Sequence, residues 1–102
     1  MRILTLIIHA KMHHEVGDIL HTIKQVEGFT FTPVQGHGSH AKSNSLPSSH
    51  DRVVGYTPRM KVEILLQQHD LQSVLESLRK AMKHERSQGV YWIVPVEESG
   101  LL

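Results

Sequence analysis

At 102 residues the chain has the length of one modest domain, and its 39% hydrophobic and 21% charged residues are the balance of a folded globular protein rather than a disordered one. A formal net charge of +1 and an aromatic content of 5% exclude the strong basic footprint and the base-stacking platforms of a nucleic-acid binder. The lack of cysteine excludes disulfides, thiolate zinc sites and cysteine nucleophiles.

Arg2 to His9 (RILTLIIH) is apolar on both alternating faces, the pattern of a strand in the middle of a sheet or inside an assembly. Its apolar run, Ile3 to Ile8, ends at His9 and Lys11. It is too short for a secretory signal and has no small-residue cleavage site. No run approaches the roughly 18 apolar residues of a membrane span, so a cytoplasmic protein with no membrane insertion is expected. Met12, Val16, Ile19, Leu20, Ile23 and Val26 recur at helical spacing and predict an amphipathic helix over Met12 to Val26. Gly28 then stands where a C-terminal cap is expected.

Phe29 to Gln35 is β-rich and contains Pro33. About twenty polar residues follow, with five serines and three histidines between His37 and Tyr56. A second β-rich run opens near Arg59, and Val62, Ile64 and Leu66 share one face from Lys61 to Leu66. Asp70 suits an N-cap, and Leu71, Val74, Leu75, Leu78 and Met82 predict a second helix. Gly89 ends the next loop, and Val90 to Glu97 (VYWIVPVE) is a last strand containing Pro95.

The order β-α-β, long loop, β-α-β predicts a single α+β domain over residues 1–102 with the ferredoxin-like βαββαβ fold. It has a four-stranded antiparallel sheet, two helices on one face, and a long loop between strands two and three. Proline cannot donate to a sheet ladder and favours edge strands. Pro33 and Pro95 fall in the second and fourth strands, which are the edges of this fold. The other sheet face is left bare. Trp92, Tyr91, Phe29, Phe31 and the first strand are expected to need cover, which points to oligomerisation.

The residues now resemble a known family. Gly28-Phe29-Thr30 enters the second strand and Gly36-His37-Gly38 closes it. After the insert, Pro58-Arg59-Met60-Lys61-Val62-Glu63 opens the third strand, and Pro95-Val96-Glu97-Glu98 ends the fourth. In that order and spacing these motifs resemble the PII signalling family across nearly the whole chain. The resemblance implies a bacterial homotrimer with its sheets facing inward and intersubunit clefts that take ATP or ADP. The insert, about 37–58, would be a docking loop (the family's T-loop) for an enzyme, transporter or regulator. It implies that Thr30 faces the adenine, and that the Gly36 and Gly38 backbone lies near the phosphates, where a Gly-x-Gly turn exposes N–H groups to an anion. His40 falls where the family has a glutamine that helps to hold magnesium and a keto-acid ligand. Arg59 stands for a lysine that meets an acidic ligand, with a bidentate fork available, and Glu63 matches the family's third-strand glutamate.

Three departures qualify that expectation. The family's phosphate-gripping turn before the last strand reads His84-Glu85-Arg86-Ser87-Gln88-Gly89-Val90, with Val90 at the lysine position. Its basic tail reads Ser99-Gly100-Leu101-Leu102. No tyrosine stands near Arg52, where the family carries its uridylylated one, so no uridylylation is expected.

The histidines offer a second ligand chemistry. His37 and His40 are three apart, His50 lies on the same insert, and imidazole favours copper, zinc or nickel over magnesium. This makes His37 and His40 a candidate metal site, set against the simpler reading of solvated loop histidines. A metal-binding protein of heavy-metal tolerance or efflux is the corresponding alternative function. His14, Asp18 and His21, at i, i+4 and i+7, read as a solvated polar helix face. His9 and His13 read as structural, and Met12, Met60 and Met82 as packing. Neither Glu97-Glu98 nor the insert's serines have a partner that would make a catalytic set, so a non-enzymatic regulator is expected.

Overall fold

The structure, a computed structural model, describes residues 1–37, 56–83 and 89–102. The alternation seen in the first strand sorts it into two faces. In β1 (Arg2–His9), Leu4, Leu6 and Ile8 are buried and share one face. Ile3, Thr5 and Ile7 share the other. A short 3₁₀ turn, Ala10–Met12, follows; His9 begins it by accepting at Nδ1 from the Lys11 backbone N–H, at 3.2 Å. The chain then enters α1 (His13–Thr22). Met12, Val16, Leu20 and Ile23 are buried because they recur along one helical stripe.

The first helix is shorter than the apolar spacing suggests. It stops at Thr22; Ile23 is extended, and its N–H reaches only back to the Leu20 carbonyl. Val26 then donates to the Ile23 carbonyl in a separate turn. Ile23 and Val26 keep their contact with the core without being helical, and Gly28 lies too far on to cap the helix.

β2 spans Phe29–Gly36 and β3 spans Thr57–Leu66. A second 3₁₀ turn, Gln68–Asp70, leads into α2 (Leu71–Met82), and β4 is Val90–Pro95. Asp70 occupies the N-cap position of α2 but makes no side-chain cap hydrogen bond. Leu71, Val74, Leu75 and Leu78 bury the inner stripe of α2, while Met82 is partly buried against the core.

The sheet is antiparallel with strand order β2-β3-β1-β4, so both prolines do lie in edge strands. Cross-strand partners fix the faces: Leu4 lies between Ile64 and Ile93, and Leu6 between Val62 and Tyr91. Met60, Val62, Ile64 and Leu66 complete the layer against the helices.

This register corrects one expectation about the bare face. Phe29 and Phe31 pair with Ile64 and Val62, so they point to the helical side. There Phe31 meets His13 edge-on at 4.3 Å, and Phe29 meets His21 at 5.3 Å. Tyr91 also faces the helices, with its hydroxyl 3.0 Å from an Arg79 N–H on α2. Of the four aromatic residues expected on the open face, only Trp92, opposite Thr5, is there.

Four strand ends converge at one end of the sheet. His9 pairs with Arg59, Ile7 with Val90, and Gly36 with Thr57. The end of β1, the two ends of the insert and the start of β4 are therefore neighbours. At the opposite end, the Val96 N–H donates to the Met1 carbonyl at 3.2 Å.

Candidate functional site at the insert stem and open sheet face

The alternation that buries Met60, Val62 and Ile64 turns Arg59, Lys61 and Glu63 to the open face. The register arranges that face in rows. Thr30, Glu63, Thr5 and Trp92 form one row across the four strands. Thr32, Lys61, Ile7 and Val90 form the next, and Val34, Arg59 and His9 the last before the insert. The outcome is a face of two halves. β2 and β3 contribute hydroxyls and charges. β1 and β4, with Leu65, contribute Ile3, Ile7, Val90, Trp92 and Val94.

Glu63 and Lys61 form an ion pair of 3.8 Å with 37% and 34% of their side chains exposed. At that exposure it contributes at most about 1 kcal/mol, and it sets the Glu63 carboxylate beside a cation.

Arg59 is buried, with 4% of its surface exposed. It lies across Gly36: a Cβ added there would come 2.8 Å from Arg59 Cγ and 3.4 Å from Nε. Gly36 is needed for this close approach. The stem of the insert closes above them, where the rings of His37 and Tyr56 meet edge-on at 6.2 Å.

The sequence-predicted site residues therefore fall into two pairs, Thr30 with Glu63 and Gly36 with Arg59. Four strand positions on β3 separate the pairs, roughly 14 Å at about 3.4 Å per residue. A single chain does not gather them around one small ligand. Gly38 and His40 lie outside the described residues, as does His50. Among the described residues no group of three His, Cys, Asp or Glu side chains is placed to hold a metal, so His14, Asp18 and His21 form no metal site. No helix among the described residues is long and apolar enough to cross a membrane. Motif reading missed Lys61 and His9 as neighbours of the site. Strand alternation carried the signal for Lys61, two residues from both Arg59 and Glu63, whereas His9 enters through a pairing between distant segments.

Comparison with known proteins bears on the fold and the family. The nitrogen regulatory protein P-II of Rhizobium leguminosarum bv. viciae is 31% identical over 74 residues, covering 72% of this chain and 67% of that protein. The P-II protein of Azospirillum brasilense is 27% identical over 85 residues, covering 82% and 75%. That of Rhizobium meliloti strain 1021 is 30% identical over 74 residues, covering 72% and 66%. The crystal structure of a DUF3240 family protein from Shewanella baltica OS155 superposes with a TM-score of 0.77 at 23% identity, covering 99% of this chain and 94% of that one. At that identity the match speaks for the fold.

Fold, insert position and relatives together define a divergent PII-like protein. Within that class the chain belongs to the family described as "Protein of unknown function (DUF3240)", whose model matches residues 1–102.

Proposed function

We propose that this protein is a non-enzymatic PII-like regulator, assembled as a homotrimer in the cytoplasm of a bacterium. In this reading it senses a small ligand in clefts between subunits and docks on a target protein through its insert, about 37–58. The carrying observation is the open sheet face, where Trp92, Leu65 and Val94 are 47%, 42% and 40% exposed. An apolar half-face of this kind calls for a partner. Three such faces turned inward would cover one another.

Assembly also answers the separation of the two residue pairs. Thr30 and Glu63 of one subunit would face Gly36, Gly38, His40 and Arg59 of the next across a cleft, with Arg59 meeting an acidic group. An adenine nucleotide is the ligand implied by the resemblance of Thr30 and of the Gly36-His37-Gly38 turn to the PII family. A nucleotide that orders the stem around His37 and Tyr56 would bias the insert between shapes, and the partner would read one of them.

A second reading gives His37 and His40 to copper or zinc, in a protein of metal tolerance or efflux. It is favoured by His37, an exposed imidazole at the stem. Native mass spectrometry with calorimetric titration of ATP, ADP, Cu and Zn separates the readings. The regulator predicts a trimer that binds nucleotide without metal. The metal protein predicts Cu or Zn binding lost in His40→Ala. A monomer that binds none of the four ligands would overturn both.

A further inference from the structure

On the helical side of the sheet, away from the open face, the last turns of α2 part from β1 and the start of β4. The gap is a cavity of about 370 Å³, within the roughly 300–1,000 Å³ of small-molecule sites. Its floor is aliphatic: Leu6 and Ile8 from β1 meet Leu75 and Leu78 from α2. Two cations, Arg79 and Lys83, also line it, and no carboxylate does among the described residues.

The cations stand four residues apart, Arg79 in the last turn of α2 and Lys83 at its C-cap, where the backbone is still helical. Like charges at that spacing repel by a few tenths of a kcal/mol, and an anion between them would relieve the repulsion. Cations in a last helical turn are also favoured by the helix dipole, which by itself would account for their presence on a solvated surface. Here they border an apolar hollow, and Arg79 is held in place. Its guanidinium donates to the Tyr91 hydroxyl at 3.0 Å, with the guanidinium carbon 5.5 Å from the ring centroid. That contact uses one edge of the planar fork and leaves other N–H groups for a carboxylate, which a guanidinium can meet bidentately.

We propose that this cavity binds a small carboxylate with an apolar tail, the tail on Leu6, Ile8, Leu75 and Leu78 and the carboxylate at Arg79 and Lys83. The site is on the opposite face of the sheet from the Thr30–Glu63 row, and it stands whether or not that row binds a nucleotide.

The test uses octanoate below its micellar range, with octanol and octylammonium as probes of equal tail and different head. Binding to the full chain is followed by calorimetry and by NMR of the Ile8, Leu75 and Met82 methyl groups. Octanoate should bind and shift those methyls, octanol should bind at least about tenfold more weakly, and octylammonium should not bind. Arg79→Gln and Lys83→Gln alter exposed side chains, and circular dichroism checks that each folds. Each should weaken octanoate several-fold, and together about tenfold or more, the scale expected for losing charge-assisted hydrogen bonds, with octanol unchanged. Equal affinity for octanoate and octanol would overturn the proposal. So would no methyl shift at these residues, or undiminished octanoate binding in the folded double variant.

Discussion

Gly89 and Ile7 touch backbone to backbone. A Cβ on Gly89 would lie 2.5 Å from the Ile7 carbonyl oxygen and 3.0 Å from Ile8 Cγ2. Ile7 pairs with Val90, so this contact sets where the last strand joins the sheet. A carbonyl in a central strand cannot swing aside as a side chain can. Gly89→Ala is therefore expected to destabilise by about 1–3 kcal/mol, the usual cost of forced overpacking. Denaturant unfolding with the midpoint compared at constant m-value checks it.

Gly17 predicts the opposite sign. It lies mid-helix in α1, and an added Cβ would meet the Phe31 ring at 3.5 and 3.6 Å, ordinary contact distances. Alanine restores helix propensity and adds a packed methyl, so Gly17→Ala should stabilise by about 0.5–1 kcal/mol. A lower melting temperature than the parent would contradict the contact geometry.

At Gly36 the obstacle is a side chain. Gly36→Ala should push Arg59 out of its buried place rather than prevent folding. A loss of about 1–2 kcal/mol is expected from the strain and the displaced guanidinium. The decisive measurement is the Arg59 Nε–H resonance in an NMR spectrum, which should shift in the variant and stay in place if the two residues are not in contact.

The core makes a fourth prediction. Leu20 and Val62 are fully buried, one on α1 and the other on the strand face beneath the helices. Leu20→Ala should cost about 2–5 kcal/mol through lost contacts and the cavity left behind. Leu65→Ala, on the exposed open face, should cost well under half as much in the isolated chain. Parallel urea titrations of the two variants compare them directly.

The open face supplies the fifth. Replacing Trp92 by serine and Leu65 by lysine removes the largest apolar groups from that face and leaves the helical core untouched. The double variant should keep its far-ultraviolet circular dichroism and appear as a monomer in native mass spectrometry. An oligomer that persists in the double variant would remove this face from the interface.

Much of the architecture was legible because strands and helices print different periods. The edge position of β2 and β4 followed from Pro33 and Pro95, and the buried sets of α1 and α2 from spacing. What failed depended on turn chemistry or on pairing. Ile23 and Val26 continue the helical spacing but reach the core from a turn, so spacing alone overran the end of α1. The strand pattern alone does not turn Phe29, Phe31 and Tyr91 to the helices, because a strand's period says which residues share a face, not which face meets the helices. That needs a neighbour such as His13 or Arg79, placed by the tertiary fold. The same limit applies to the site. Thr30, Gly36, Arg59 and Glu63 carried readable motifs, but their division into two pairs roughly 14 Å apart (at about 3.4 Å per strand residue) is a property of register.

The hydrogen bond from Val96 to Met1 carries a practical consequence. It holds the first residue and the segment after β4 at the end of the sheet remote from His37 and Tyr56. Along β1 that is roughly 24 Å, at about 3.4 Å per residue. A fluorophore or affinity handle attached at Met1 would therefore stand clear of the insert, the Arg59 row and the mouth beside Lys83. The molecule can be immobilised by one pole and offered to ligands and targets by the other.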